Sequence, residues 1–186
     1  ASDVYKRQML DSAAPIRRAF LGGNEDNYWT ANGERYAAIR IPDATGKQTK
    51  RGVISPDDVV NGDGDVDSAE ALVEREQSAL SHLRAYDGGE VGLEETLAAV
   101  LAYDRLFGED RDHEAWYRRV LQDRPWQQCG CPICEALGIE VIIFRGNNRN
   151  RRRGFHNVKV FYDQFRRTIQ EAADEPLPQQ RPMDPE

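Results

Sequence analysis

Three cysteines within six residues, Cys129-Gly-Cys131-Pro-Ile-Cys134, constrain this chain more than any other feature. Thiolates held that closely repel one another unless a cation neutralises them, and a tetrahedral zinc ion does so once a fourth ligand, His or Cys, closes the shell. An odd count cannot pair off internally as disulfides, so the competing readings are three incidental thiols or a reactive redox pair. No further cysteine exists, which leaves His82, His113 and His156 as fourth ligands. His82 falls inside a predicted helix, whereas loop geometry allows either His113 or His156 to close the site. His156 stands at the predicted start of the last helix, from which its ring can turn back toward the thiols.

Around this cluster the periodicity is mostly helical. Ala69, Leu72, Val73, Leu80 and Leu83 recur at three- and four-residue intervals and predict a helix from Ser68 to Gly88-Gly89. Leu93, Leu97, Val100 and Leu101 predict a second helix, and Trp116 and Val120 a shorter third. Tyr36–Ile41 alternates as a short strand ended by Pro42, and the β-branched run Ile139–Phe144 reads as another strand. Gly146 and the Asn/Arg run after it read as a loop. Phe155, Val158, Tyr162, Phe165 and Ile169 share one face of a final amphipathic helix ending near Ala173. The proline-rich tail from Pro176 is expected to be disordered. Asp63, Asp65, Asp67 and Glu74 imitate a calcium loop, but Ser68 occupies the position where its turn needs glycine.

The formal charge of −7 argues against a general polyanion binder. Its distribution does not. Acidic residues crowd Asp57–Asp112, while Arg145, Arg149, Arg151, Arg152 and Arg153 lie within nine residues, enough for one basic face on an acidic protein. No apolar run is long enough to span a bilayer and the N-terminus lacks a secretory pattern, so the expected location is cytoplasmic, with no membrane partner.

Cys-x-Cys-x2-Cys, then about twenty residues, then His156-Asn157 on an aromatic-bearing helix, resembles the zinc subdomain of the queuine and archaeosine tRNA-guanine transglycosylases. The resemblance selects His156 over His113 and implies a structural zinc ion held by Cys129, Cys131, Cys134 and His156. A second stretch, Met9-Leu-Asp11-Ser-Ala-Ala-Pro15-Ile-Arg17, is similar to the segment in which that family carries its nucleophilic aspartate, then a Pro, then an Arg. It implies Asp11 as the nucleophile and Arg17 as a backbone contact. The run Phe144-Arg-Gly-Asn-Asn-Arg-Asn-Arg-Arg-Arg153 looks like the DNA-modifying branch of the superfamily, with Arg145, Arg149, Arg151, Arg152 and Arg153 presenting guanidinium forks to phosphates.

The resemblance implies an α/β fold: the C-terminal end of a TIM barrel joined to a mostly helical zinc-binding subdomain. It divides the chain into the barrel end (9–60), a helical insertion (61–124), the zinc subdomain (125–173) and the tail (174–186). Residues 1–8 resemble translated adapter sequence and are set apart as non-native, which makes the chain the C-terminal part of a longer protein and inactive alone. The implied reaction exchanges guanine in nucleic acid, DNA rather than tRNA, for a 7-deazaguanine base through a covalent aspartyl intermediate. Two alternatives stay open: the same exchange on tRNA, and a non-catalytic zinc-stabilised nucleic-acid-binding module. Assembly into homo- or hetero-oligomers is compatible with either.

Overall fold

The computed structural model describes residues 13–21, 25–44, 69–107 and 113–174. Asp11, the acidic stretch from Asp57 to Ser68 and the tail beyond residue 174 lie outside the described residues. Seven helices are described: α1 (Ala13–Phe20), α2 (Ala69–Gly88), α3 (Leu93–Asp104), α4 (Glu114–Asp123), α5 (Pro125–Gln128), α6 (Pro132–Leu137) and α7 (Gly146–Asp174). Four two-residue strands accompany them: β1 (Tyr28–Trp29), β2 (Arg35–Tyr36), β3 (Ile39–Arg40) and β4 (Ile143–Phe144). The architecture is therefore mostly helical, and the described residues form no barrel.

The predicted central helices are present because their apolar periodicity matches one buried face. Leu72, Ala79, Leu83 and Tyr86 of α2 pack with Leu97, Val100 and Leu101 of α3 and with Tyr117, Val120 and Leu121 of α4 in a single core. Helix α2 stops where Gly89 adopts φ +80°. There the Glu90 N–H reaches back to Ala85 O at 2.8 Å and the Gly89 N–H to Tyr86 O at 3.1 Å, the paired bonds that close a helix C-terminus on a left-handed glycine. Helix α3 opens soon after at Leu93, with Glu94 and Glu95 in its first turn, where carboxylates favour the positive end of the helix dipole.

Strands β1 and β2 pair antiparallel, Tyr28 opposite Tyr36, and β3 pairs parallel with β4, Ile39 opposite Ile143. A parallel pair needs a crossover connection, here the chain containing α2 to α6. The strand expected over Tyr36–Ile41 is split between these two sheets. Between its halves the Ala38 N–H donates to the Asn27 side chain at 3.2 Å instead of to a neighbouring strand. The second expected strand is cut to Ile143–Phe144, because residues 138–141 wind into a 3-10 turn and the Ile139 N–H is taken by Asp87 Oδ2 at 2.8 Å.

The largest departure is at the arginine run. It is the N-terminal part of α7, which begins at Gly146, so His156 lies in the third turn of that helix and does not open it. The buried face of this segment is polar: Asn150, Arg153 and Asn157, at helical spacing, are at most 5% exposed. Helix α1 runs antiparallel against it, with Arg153 Nη2 donating to Ala19 O at 2.6 Å and Asn157 Nδ2 to Pro15 O at 3.1 Å.

Candidate metal centre

The short helices α5 and α6 aim the three thiols. Arg124 takes a left-handed φ of 44° to end α4, Pro125 opens α5, and Pro132 opens α6, where a missing N–H costs nothing. Cys131 precedes α6 as its N-cap, and its sulfur accepts from the Cys134 N–H at 3.4 Å. Gly130, at φ +60°, turns the chain between Cys129 and Cys131. His156 arrives from α7 and points Nδ1 at all three sulfurs, 3.8 Å from Cys129, 3.3 Å from Cys131 and 3.4 Å from Cys134.

These four ligand atoms lie within 4.8 Å of one another and form a candidate metal-binding site. Zinc bonds of ordinary length to sulfur and nitrogen in a tetrahedral shell place S and N about 3.5 Å apart, so the donors fit that ion without rearrangement. The thiol spacing pointed to the three cysteines, and they come together here with His156. The resemblance chose correctly between His113 and His156, because His113 is buried elsewhere with Nδ1 2.6 Å from Asp104.

The thiols do not ionise alike. Cys129 is held well below the ordinary thiol range by a hydrogen bond from Cys134 and by His156 beside it, in spite of its partial burial. The thiolate neighbour at Cys129, together with burial, pushes Cys134 up, and burial pushes Cys131 up. A divalent cation reverses this opposition and lets all three carry charge.

A second layer of residues fixes the imidazole. His156 Nε2 lies 2.7 Å from Trp29 O, and Tyr28 stacks on the ring at 4.2 Å with an interplanar angle of 8°. The Tyr28 hydroxyl is 3.2 Å from Cys134 Sγ. Burial first, then the neighbouring Cys134 and Cys129, raise the Tyr28 pKa well above an ordinary phenol, so its hydroxyl stays protonated beside Cys134 Sγ. Asn157, fully buried, accepts from the Trp29 N–H at 3.1 Å and donates to Asn27 O at 2.8 Å. Tyr28 and Trp29 were not singled out in the sequence; their only signal is an aromatic pair directly after an asparagine.

The other expected site residues are not gathered here. Arg17 is exposed on α1. Arg151 and Arg152 are exposed on α7, Arg145 pairs with Glu76 and Asp43, and Arg149 pairs with Glu140 at 3.0 Å. Arg153 is corrected: it is fully buried, and its guanidinium donates to Val141 O, Ile143 O, Ala19 O and Asn150 Oδ1. Burial lowers its pKa, and neutral oxygens inside the protein take both of its Nη groups, so it presents no solvent face to a phosphate.

Among the described residues no helix is long and apolar enough to cross a membrane. No family model matches the chain. A curated protein of Salmonella montevideo named DNA-guanine transglycosylase is 42% identical over 168 residues, covering 86% of this chain. The chain spans 37% of that relative's length. With that identity over most of its residues and a Cys3His cluster assembled as the resemblance implied, this chain belongs to the guanine transglycosylase family.

Proposed function

We propose that the full-length protein exchanges guanine in DNA for a 7-deazaguanine base, with Asp11 as nucleophile and a structural zinc ion at Cys129, Cys131, Cys134 and His156. The observation that carries this reading is the 42% identity to a protein named for guanine exchange on DNA. A structural zinc supplies a closed four-ligand cross-link and takes no part in the chemistry. The residues of this chain are assigned the nucleophilic step and the hold on the backbone.

In the proposed step a carboxylate oxygen of Asp11 attacks C1′ of the sugar while the C1′–N9 bond to guanine breaks, with the departing electron pair moving onto the base. The incoming 7-deazaguanine nitrogen then displaces the aspartyl ester, so two inversions give net retention. The target base must leave the stack, which requires the backbone to be held. Arg17, Arg149, Arg151 and Arg152 are proposed to hold it, with Arg145 joining them if it leaves its carboxylate partners. Asp11 precedes α1 by two residues, and α1 is tied to the metal-bearing helix through Asn157 and Arg153. In this reading the metal centre orients the helix that follows the nucleophile. Residues 9–60 belong to the end of a catalytic TIM barrel, and 61–124 are an insertion between it and the zinc subdomain.

The test is guanine exchange by the full-length protein on duplex DNA and on tRNA, with trapping of the covalent intermediate. Exchange on DNA and a denaturant-resistant adduct, both abolished by Asp11→Asn, are expected. An adduct that survives Asp11→Asn removes the nucleophile assignment. Exchange confined to tRNA overturns the substrate, and metal and nucleic-acid binding without exchange leaves only a binding module.

A further inference from the structure

Two charged residues that the proposed chemistry leaves unused, Arg84 and Glu140, meet the arginine run in one cluster. The Arg84 Nε of α2 donates to Glu140 Oε1 at 2.8 Å, and Arg149 Nη2 of α7 pairs with Glu140 Oε2 at 3.0 Å. One carboxylate from the 3-10 turn thus bridges two guanidinium groups delivered by helices far apart in sequence. Arg145 lies close by but is neutralised by Glu76 and Asp43. Arg152, one turn beyond Arg149, is exposed.

Three features show that this cluster is not balanced internally. Two guanidinium groups, Arg84 and Arg149, share one carboxylate, and the charge of Arg152 acts on Arg149 as well. Burial and the repulsion of Arg145, Arg84 and Arg152 lower the pKa of Arg149, and Glu140 offsets this only in part. Arg149 Nη1 is shielded from solvent with no hydrogen-bond acceptor among the described residues. A guanidinium N–H that has lost water without gaining an acceptor is costly, and a second anionic oxygen removes that cost. The cluster also stands at the N-terminal end of a 29-residue helix, where the backbone dipole adds positive potential.

Two guanidinium groups, one on each oxygen of the same carboxylate, resemble an arrangement that could hold the two free oxygens of a phosphodiester. We propose that Arg84, Arg149 and Arg152 form a phosphate-binding site for the nucleic-acid backbone, and that Glu140 is an internal counter-ion which the phosphate displaces. The inference rests on the nucleic-acid reading above and extends it: a central helix, through Arg84, joins the arginine run in gripping the backbone. Glu140 makes the grip conditional, since a ligand of low charge density cannot displace a carboxylate already held by two forks.

The alternative role for these contacts is a purely structural staple between α2 and α7, and the two roles predict opposite effects at Glu140. The test is binding of a short duplex DNA to the metal-loaded chain across a salt series, with melting temperature and metal content measured for each variant. Arg84→Gln and Arg149→Gln are each expected to weaken binding roughly tenfold and to reduce the salt slope by about 1. Glu140→Gln is expected to tighten binding by a factor of about 3 to 5. Arg152→Gln, at an exposed position that does not threaten folding, provides a further check through a reduced slope.

If the arginine variants bind like the parent, or Glu140→Gln weakens binding together with melting temperature, the cluster is a staple. The inference then fails while the nucleic-acid reading stands. If the parent binds neither DNA nor tRNA but holds an acidic peptide through Arg84, both fail.

Discussion

Trp29 gives its main-chain carbonyl to the Nε2 of His156, 2.7 Å away, and its N–H to Asn157, so consecutive residues of α7 grip both sides of one peptide position. The carbonyl can only accept, which places the proton on Nε2 and leaves the Nδ1 lone pair facing the three sulfurs. We predict one zinc ion per chain and binding through Nδ1, read from the imidazole nitrogen chemical shifts of the metal-loaded protein. His156→Ala should weaken zinc binding at least tenfold in competition with a chromophoric chelator. Unchanged affinity would remove His156 from the shell.

Tyr28 tests the outer layer separately. Tyr28→Phe keeps the ring stacked on His156 and deletes only the hydroxyl beside Cys134. Metal affinity should fall by about tenfold with all four ligands intact, and the released thiols should react faster with a thiol reagent once a chelator is present.

Arg153→Met separates the buried arginine from its exposed neighbours. Losing the guanidinium strands the carbonyls of Val141, Ile143 and Ala19 without donors, at a cost of about 3 kcal/mol or more in denaturant unfolding. The salt slope of nucleic-acid binding should not change, since this charge faces no solvent.

Alkaline pH should destabilise the fold through its buried phenols. Burial raises the pKa of Tyr28, Tyr103 and Tyr117, and burial with Asp123 raises Tyr36 to about 12 from an ordinary value of 10.0. An acid whose folded pKa is raised contributes its full stability below the unfolded pKa and loses it above. Stability should hold up to about pH 10 and then decline, with Tyr36→Phe reducing the decline between about 10 and 12. Tyrosinate absorbance during a pH titration monitors it, and a decline that begins in the neutral range would contradict the assignment.

The parts of this structure that bury carbon were legible in the sequence, and the parts that bury polar groups were not. Leu72, Leu83, Leu97, Val100 and Val120 advertise three helices because their inner faces are apolar. One face of the first turns of α7 is just as buried, but through Asn150, Arg153 and Asn157: Arg153 and Asn157 donate to main-chain carbonyls of other segments, and Asn150 accepts from Arg153. A search for apolar periodicity is blind to such a face, which is why the arginine run reads as a loop. Ile139, Val141, Ile142 and Ile143 show the converse, four buried β-branched residues mostly outside a strand. The three thiol ligands were legible because their spacing is itself chemistry, whereas His156 needed the family resemblance to be chosen over His113. Their supporting layer was not, since Trp29 takes part mainly through its backbone.

The bond between His156 and Trp29 also sets a timetable. These residues are 127 positions apart, so at about 5–20 residues per second Trp29 leaves the ribosome roughly 6 to 25 seconds before its partner. For most of that interval Tyr28 and Trp29, both buried in the finished protein, have neither α7 nor the thiols to cover them. The metal centre therefore cannot be completed until α7 has been made, long after the aromatic pair that supports it, and that pair is a stretch a chaperone would have to shield in the meantime.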